Sequence, residues 1–278
     1  MENQKIAPQS IQETLMLPLW SRAECTRRFP ELLTDVEAVQ IVSRLDYDYS
    51  RVAGAYGEYG IIASANRAYQ LDKILRSYLL KHPDATIVNL GAGLDTTLAR
   101  VDNGRLNWYD LDLPEIIAIR RTALGKGERG AYIAKSVFDY SWMDDIAFEK
   151  EKGIMFLAAG LFYYFHFSEI KDLVAKLAER FPGGELVFDS GSKTGVAISN
   201  RMVVKTGNSG AAMHFYVSNP KALQAWSEQI KEVRALPYYG GIRREIRDCY
   251  RKWRMSTKLN MFFGDLLKMT KLIRIYFK

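Results

Sequence analysis

Little in this 278-residue sequence points to a membrane, a metal or a disulfide framework. No apolar run approaches the roughly 18 residues that a membrane-spanning helix needs. The polar first residues lack the apolar centre of a signal peptide. Two cysteines, Cys25 and Cys249, are too few for a disulfide framework or a zinc pattern, and three histidines argue against a His-rich metal site. We therefore expect a cytoplasmic protein without a membrane span or a bound metal.

Positive charge is concentrated near one end of the chain. Residues 243–278 contain 11 Lys or Arg and three acids, a net charge of +8, whereas the other residues together carry −1. Such a segment can bind nucleic acid, an anionic membrane or an acidic protein, or it can simply be a solvated helix face. No nucleic-acid-binding motif accompanies it. We expect no nucleic-acid partner, and the solvated face and an acidic carrier protein remain as alternatives.

The middle of the chain alternates between strand and helix patterns. Residues 8–80 have apolar positions at helical spacing, and Thr34 or Asp35 is suited to cap the helix that follows. Strands are predicted at 86–91, 106–112, 131–137, 153–159 and 185–190, and helices at 95–100, 114–124 and 168–181. This alternation predicts a doubly wound, mostly parallel α/β sheet.

We expect one domain, 1–278, with four segments. An N-terminal helical segment (1–84) precedes the cofactor-binding core (85–190), which is followed by a lid insertion (191–232) and by C-terminal strands with the basic segment (233–278). Within these, residues 220–232 read as helix, 233–239 as a strand, and 271–278 as a half-buried final strand.

A glycine-containing turn and a later aspartate are the most informative features. The apolar run ending at Leu90 meets Gly91 and Gly93, which permit a tight turn and close approach of a ligand. The next strand ends at Asp112, at the spacing of an acid that binds ribose hydroxyls. Thr96 replaces the third glycine of the dinucleotide motif, so a nucleoside cofactor without a pyrophosphate is favoured. The alternatives are a purely structural turn and a helix cap at Asp112.

These residues resemble a known family. Residues 90–97 (LGAGLDTT), Arg100 and residues 110–115 (DLDLPE) are similar to the leucine carboxyl methyltransferase family, which includes polyketide O-methyltransferases of the tetracenomycin type. Residues 13–23 resemble its opening segment, and Asn66, Arg67 and Asp72 its helix before the first strand. The resemblance implies a class I, Rossmann-like fold with seven strands, an antiparallel last strand and S-adenosylmethionine (SAM) as cofactor.

The resemblance also implies a set of cofactor-binding positions. In this sequence they are Arg67, Asn89, Gly91, Ala92, Gly93, Asp95, Asp112, Leu113, Ser136, Val137 and Ala159. Arg67 is implied to pair with the cofactor carboxylate. Two positions depart from the family: Ser136 stands where an Asp is usual, and Ala159 where a Glu holds the cofactor amino group. Asp139 and Asp95 are the respective candidates to substitute.

The acceptor is expected beyond the fourth strand. Tyr163, Tyr164 and His166 follow this strand at the carboxyl edge of the sheet, where open α/β sheets bind ligands. His166 is suited to accept a proton from a hydroxyl group, and His214 ranks second.

The chain is thus expected to be a SAM-dependent O-methyltransferase acting on a hydroxyl or carboxyl group of a small molecule, as in polyketide biosynthesis. A degenerate binding protein that keeps the fold and a protein carboxyl methyltransferase are the alternatives.

Overall fold

A computed structural model describes residues 11–45, 47–125, 129–205 and 212–278, and it contains a seven-stranded sheet. The strands are β1 (Thr86–Leu90), β2 (Asn107–Asp112), β3 (Gly130–Ala134), β4 (Ile154–Ala158), β5 (Glu185–Gly191), β6 (Ile230–Pro237) and β7 (Thr270–Phe277). Their order is β3-β2-β1-β4-β5-β7-β6, and β7 is antiparallel to both neighbours, whereas the first five pair in parallel. The predicted α/β fold with an antiparallel last strand is confirmed.

Helices cover both faces of this sheet. They are α1 (Ile11–Arg28), α2 (Val36–Arg44), α3 (Ser50–Leu79), α4 (Thr97–Val101), α5 (Pro114–Leu124), α6 (Phe167–Arg180), α7 (Lys193–Lys205), α8 (Ile242–Glu245), α9 (Arg247–Lys252) and α10 (Met255–Leu266). None of the described helices combines the length and apolarity that a membrane crossing demands.

The central strands are apolar because both of their faces are covered. Every residue of β1 and of β4 is buried, as expected for parallel strands between two helical layers. One core joins the sheet to α3 and to the segment between β6 and β7, through residues such as Leu75 and Trp253. A second core packs α6 on the opposite face, through residues such as Leu173 and Phe156, and a third joins α1 and α2 to α5. The carboxyl ends of β1, β2, β4 and β5 therefore meet at one edge.

The region after β5 corrects part of the prediction. The predicted helix at 220–232 is wrong beyond a 3₁₀ turn at Pro220–Trp226, because β6 begins at Ile230 to pair with Phe277 of β7. The predicted strand at 233–239 therefore began three residues too late. The third strand ends at Ala134, so Ser136 and Val137 lie in the loop after it.

Parts of two predictions lie outside the described residues. The expected lid insertion begins with α7, but its residues 206–211, which include Gly207 and Gly210, lie outside the described range. Residues 126–128, in the Gly-rich turn predicted at 125–130, and residues 8–10 of the predicted N-terminal helical region also lie outside the described range.

A buried carboxylate ties the N-terminal helices to the turn after β1. Asp35 accepts hydrogen bonds at Oδ2 from Arg22 Nε (2.9 Å), Arg100 Nη1 (2.8 Å) and Thr96 Oγ1 (2.5 Å). Its Oδ1 accepts from the backbone N–H of Ala38 (2.9 Å) and so caps α2. Burial alone would raise the pKa of Asp35, but the charges of Arg22 and Arg100 outweigh burial and lower it.

We expect Asp35→Ala to lower the free energy of unfolding by about 3–5 kcal/mol, because it removes the carboxylate that pairs with buried Arg22 and one of the two that pair with buried Arg100. Thr34→Ala is the matched control, since this exposed hydroxyl only donates to Pro30 O. Urea unfolding measures both. Because folding lowers the pKa of Asp35, its contribution is present above the ordinary value of 3.8 and is lost as the pH falls below it. Equal losses in the two variants would contradict the assignment.

Candidate active site

The turn after β1 has the geometry that its glycines predicted. Gly91 and Gly93 have φ angles of 63° and 48°, in the left-handed region. A Cβ at Gly91 would lie 2.5 Å from Leu161 Cδ1, and one at Gly93 would lie 2.9 Å from Leu15 Cδ2. The turn lies where the strand order reverses between β1 and β4, which is where open α/β sheets bind ligands.

Asp112 is joined to this turn. Its Oδ2 accepts the backbone N–H of Gly93 (2.7 Å) and its Oδ1 accepts the N–H of Leu113 (2.8 Å). Burial raises the pKa of Asp112, and these two N–H groups oppose the rise. Leu113, not Asp112, is the N-cap residue of α5. The carboxylate therefore bridges the ends of β1 and β2, in the position expected of a group that binds ribose hydroxyls.

Two buried arginines that the sequence analysis did not identify hold the turn from behind. Arg120 Nη1 donates to the carbonyl oxygens of Gly93 (3.0 Å) and Asp95 (2.6 Å), and Arg22 Nη2 donates to that of Leu94 (2.7 Å). Arg120 also donates to Asp110 at 2.7 Å. The apolar spacing of α5 gave no signal for an inward-facing arginine.

The carboxylate of Asp95 is engaged within the turn. It accepts from Asn89 Nδ2 (3.3 Å), from Thr97 N (3.2 Å) and from Thr97 Oγ1 (3.0 Å). Asn89 also donates to Asp110, which is buried and bonded to Arg120, as expected for a side chain that does not face the site. Ala92 is buried, and its N–H donates to Leu111 O across to β2. These residues build the turn from inside.

A second polar centre lies at the ends of β4 and β5. Asp189, the fifth residue of β5, is 3% exposed and accepts from Gly160 N (2.6 Å) and Arg67 Nη1 (3.2 Å). The nearby charge of Asp189 contributes to the raised pKa of Tyr163. Burial disfavours the charge of Arg67, but Asp189 outweighs this and raises the pKa of Arg67. A Cβ at Gly160 would lie 2.6 Å from Arg67 Nη1, so the guanidinium lies against the backbone beside Ala159.

Tyrosines surround this ion pair. They come from α3, from the 3₁₀ turn after β4 and from the end of β6: Tyr56, Tyr59, Tyr163, Tyr164, Tyr238 and Tyr239. Burial raises the pKa of Tyr56 to about 12 and also raises the pKa of Tyr163 and Tyr164. At neutral pH these hydroxyls are hydrogen-bond donors rather than bases. Tyr164 is 38% exposed, whereas Tyr163 is buried, so Tyr164 is the one accessible to a bound molecule.

His166 lies apart from the ion pair, at the start of α6. It is exposed, its backbone N–H donates to Glu169 Oε2 (2.8 Å), and its ring stacks on that of His214, with 5.5 Å between centroids. His214 in turn donates its N–H to Tyr163 O (2.6 Å) and lines an apolar cavity of about 370 Å³ with Phe215 and Trp226. The structure thus joins the two histidines that the sequence analysis ranked first and second.

Ser136 and Val137 lie in the loop after β3. Ser136 Oγ accepts from Phe138 N (3.3 Å), and the carbonyl of buried Val137 accepts from Trp142 Nε1 (3.0 Å). Asp139 caps the following 3₁₀ turn through Ser141 (3.2 Å to its backbone N). Both hydrogen bonds from Ser141, from its backbone N–H and from its hydroxyl (2.7 Å), go to Oδ1 of Asp139.

The described residues fit the nucleoside half of SAM. Gly91 and Gly93 have left-handed backbone conformations and no side chains, so a ligand can approach the backbone of the turn. Asp112 presents a half-buried carboxylate beside this backbone. At the methionine half, the basic group is present as Arg67, and the family acid at 159 is absent. Within the described part of the chain, no group of His, Cys, Asp or Glu is arranged to hold a metal ion.

Comparisons with known proteins agree with this geometry. The family model "Leucine carboxyl methyltransferase" matches residues 60–178, from the middle of α3 into α6. The tetracenomycin polyketide synthesis O-methyltransferase TcmP of Streptomyces glaucescens is 26% identical over 77% of this chain and 78% of its own. The SAM-dependent methyltransferase dpfgK of Gibberella zeae is 27% identical over 81% of each. The crystal structure of the plantazolicin methyltransferase BpumL, with S-adenosylhomocysteine (SAH), shares the fold (TM-score 0.52, 11% identity, 96% of this chain and 100% of that one).

The fold, the glycine turn and these matches define a class I methyltransferase that uses SAM. Within that class the chain is similar to methyltransferases of the leucine carboxyl and tetracenomycin type, and the predicted resemblance is confirmed. The alternative of a binding protein without activity has no support from these relatives.

We expect Asp112→Ala to weaken SAH binding by roughly 1–3 kcal/mol, the scale of hydrogen bonds to a charged group. Glu115→Ala is the matched control, because this neighbouring acid is exposed on the first turn of α5. Isothermal titration calorimetry with SAH measures both affinities. Equal affinity of Asp112→Ala and the unmodified protein would remove Asp112 from the ribose site.

Proposed function

We propose that the chain transfers the methyl group of SAM to a hydroxyl or carboxyl oxygen of a small, planar acceptor. The observation that carries the proposal is the tyrosine-lined centre around Arg67 and Asp189, beside the glycine turn. Tyrosine rings present flat apolar faces to a planar molecule, and their hydroxyls orient its oxygens. That TcmP is named an O-methyltransferase of polyketide synthesis supports this choice of acceptor.

SAM supplies an electrophilic methyl group on a sulfonium that is already a good leaving group. The residues of the chain therefore have to hold the acceptor oxygen in line and exclude water. We assign Tyr164 to contact with the acceptor, because it is the exposed member of the cluster after β4. Tyr163 lies buried beside Asp189. Arg67, on α3, joins the two and provides the positive charge for the carboxylate of the cofactor.

Asp189 is proposed to take the place of the family acid at position 159. It lies on the strand next to β4 and binds the N–H of Gly160, the residue after Ala159, at 2.6 Å. Its carboxylate therefore lies next to the backbone of position 159, where the family usually has a Glu and this chain has Ala159. The carboxylate of Asp95 accepts its hydrogen bonds from Asn89 and Thr97 within the turn after β1, whereas that of Asp189 binds the backbone next to position 159.

We expect Asp189→Asn to weaken SAH binding about tenfold or more, because a charged acceptor for the cofactor amino group is lost. Ala159→Glu in the Asp189→Asn background restores a carboxylate at the family position and should recover most of the affinity. Ala159→Glu alone is the control, and it brings a second carboxylate close to Asp189. Calorimetry with SAH compares the four proteins. If the double variant binds no better than Asp189→Asn, Asp189 does not substitute for the family acid.

The acceptor assay separates hydroxyl from carboxyl chemistry. The protein is incubated with SAM and either phenols or aromatic carboxylic acids, and methylated products are identified by mass spectrometry. A carboxylate is ionised at neutral pH, whereas a phenol must lose a proton to a base, for which His166 is proposed. Peptides ending in a free leucine carboxylate test the protein carboxyl alternative in the same assay.

For a phenol acceptor we expect His166→Asn to lower kcat by roughly 10²–10⁴-fold with little change in KM, the usual contribution of a general base. His214→Asn is the matched control, because its ring stacks on His166 and is equally exposed. Methylation of a carboxylate acceptor should be unaffected by either change. A phenol methylation rate that is the same in both variants and the unmodified protein would exclude His166 as the base.

A further inference from the structure

Helix α10 exposes an apolar face to solvent. Of the twelve large hydrophobic residues that are exposed in the described part of the chain, six lie on or directly after this helix. These six form what we term the α10 apolar face: Met255, Leu259, Phe262, Phe263, Leu266 and Leu267, each 46% exposed or more. Their spacing is that of one face of a helix. A stable monomer rarely leaves such a continuous apolar surface in water unless it binds something.

The opposite side of α10 is buried, so its orientation is fixed. Thr257, Met261 and Gly264 are buried, and Thr257 Oγ1 donates to Glu58 Oε1 of α3 (2.9 Å). The apolar face therefore does not result from a helix that could turn its hydrophobic side inward. It belongs to the segment between β6 and β7, in which α8, α9 and α10 pack onto the N-terminal helices.

Positive charge borders this face. The guanidinium carbon of Arg243 lies 5.9 Å from the ring of Phe262 and 5.5 Å from that of Tyr250, and Lys258 Nζ lies 5.3 Å from the ring of Tyr250. Arg254 precedes the helix and Lys268 follows it. Among the described residues, Arg243, Lys258 and Lys268 have no ion pair within 4 Å, so their charges are available to an anionic partner.

We propose that the α10 apolar face docks on the surface of an anionic lipid bilayer. A helix that lies in the headgroup region inserts Phe and Leu side chains on one side and places Lys and Arg at the phosphate level. A second copy of the chain is disfavoured as the occupant, because it would bring two sets of unpaired cations together. An acidic protein would need a groove that matches a convex helix, whereas a bilayer adapts to the helix.

Docking on a bilayer would place the active site near the lipid. A Cβ at Gly264 would lie 3.6 Å from the ring of Tyr239 and 3.8 Å from the hydroxyl of Tyr59, so the buried side of α10 contacts the tyrosine cluster around Arg67. The docking itself does not depend on which acceptor is methylated.

The test is sedimentation of the full chain with vesicles of phosphatidylcholine alone or mixed equally with phosphatidylglycerol. We expect binding to the anionic vesicles only, reduced by high salt. Phe262→Ser with Phe263→Ser should weaken this binding about tenfold or more, because two inserted aromatic side chains are lost. Leu80→Ser is the matched control, since Leu80 is 87% exposed outside the α10 apolar face.

Charge is tested separately. Arg243→Glu with Lys258→Glu should remove the preference for phosphatidylglycerol, whereas Lys81→Glu, an exposed control at the end of α3, should keep it. SAH affinity must be unchanged in all variants, which shows that they fold. The proposal is overturned if anionic vesicles do not bind the unmodified chain. It is also overturned if the serine variant binds anionic vesicles as well as the unmodified chain does. Loss of self-association, or of binding to an acidic protein, in the serine variant without any loss of vesicle binding would assign the α10 apolar face to that partner instead.

Discussion

The site depends on buried arginines that hold the carbonyl groups of one turn. A left-handed backbone at Gly91 and Gly93 presents its N–H groups to one side and its carbonyl groups to the other. Arg120 and Arg22 bind the carbonyl oxygens of Gly93, Leu94 and Asp95 from behind. Without these donors the carbonyl groups would be buried and unsatisfied, at a cost of about 1–3 kcal/mol each. The side that faces the crevice is thereby kept in one conformation before any ligand arrives.

The cations in turn require carboxylates, which explains the buried acids around the turn. Arg120 is paired with Asp110 of β2, and Arg22 and Arg100 share Asp35. Asp72 of α3 completes the set by binding Arg100. Burial would raise the pKa of Asp35 and Asp95, yet the arginines keep both pKa values low. Asp35 and Asp95 thus stay ionised at neutral pH. The members of the network come from α1, the N-cap of α2, α3, the turn after β1, α4, β2 and α5.

Local patterns predicted the parts of the site that are local in the sequence. The buried strand, the glycines and Asp112 lie within 27 residues, 86–112, so their spacing indicated that they lie close together. The pairing of Arg67 with Asp189 spans 122 positions and that of Asn66 with Tyr238 spans 172, and no periodicity connects such residues. Position 159 illustrates the difference. The sequence showed the missing acid, but only the alignment of β4 with β5 shows that Asp189 reaches the same backbone.

Elsewhere the prediction failed where tertiary pairing overrides local preference. Residues 227–232 have helical spacing, but the chain becomes extended at Ile230 because an edge of the sheet is available beside β7. The basic segment was visible from composition, whereas the exposed face of α10 was not. Its apolar residues alone would equally suit a buried helix. Which face of a helix meets the core depends on its neighbours, and here α3 takes up the side with the smaller residues Thr257 and Gly264.

The bond from Arg22 to Leu94 has a consequence for the modular structure of the enzyme. Leu94 lies in the turn after β1, whereas Arg22 lies in α1, 72 positions earlier in the chain. Helix α1 lies before the first strand, outside the sheet. It is nevertheless a structural support of the turn after β1, to which we assign the cofactor. Recombination of this helical segment with that of a distant relative would preserve the sheet and misplace the loop, so the two have to be inherited together.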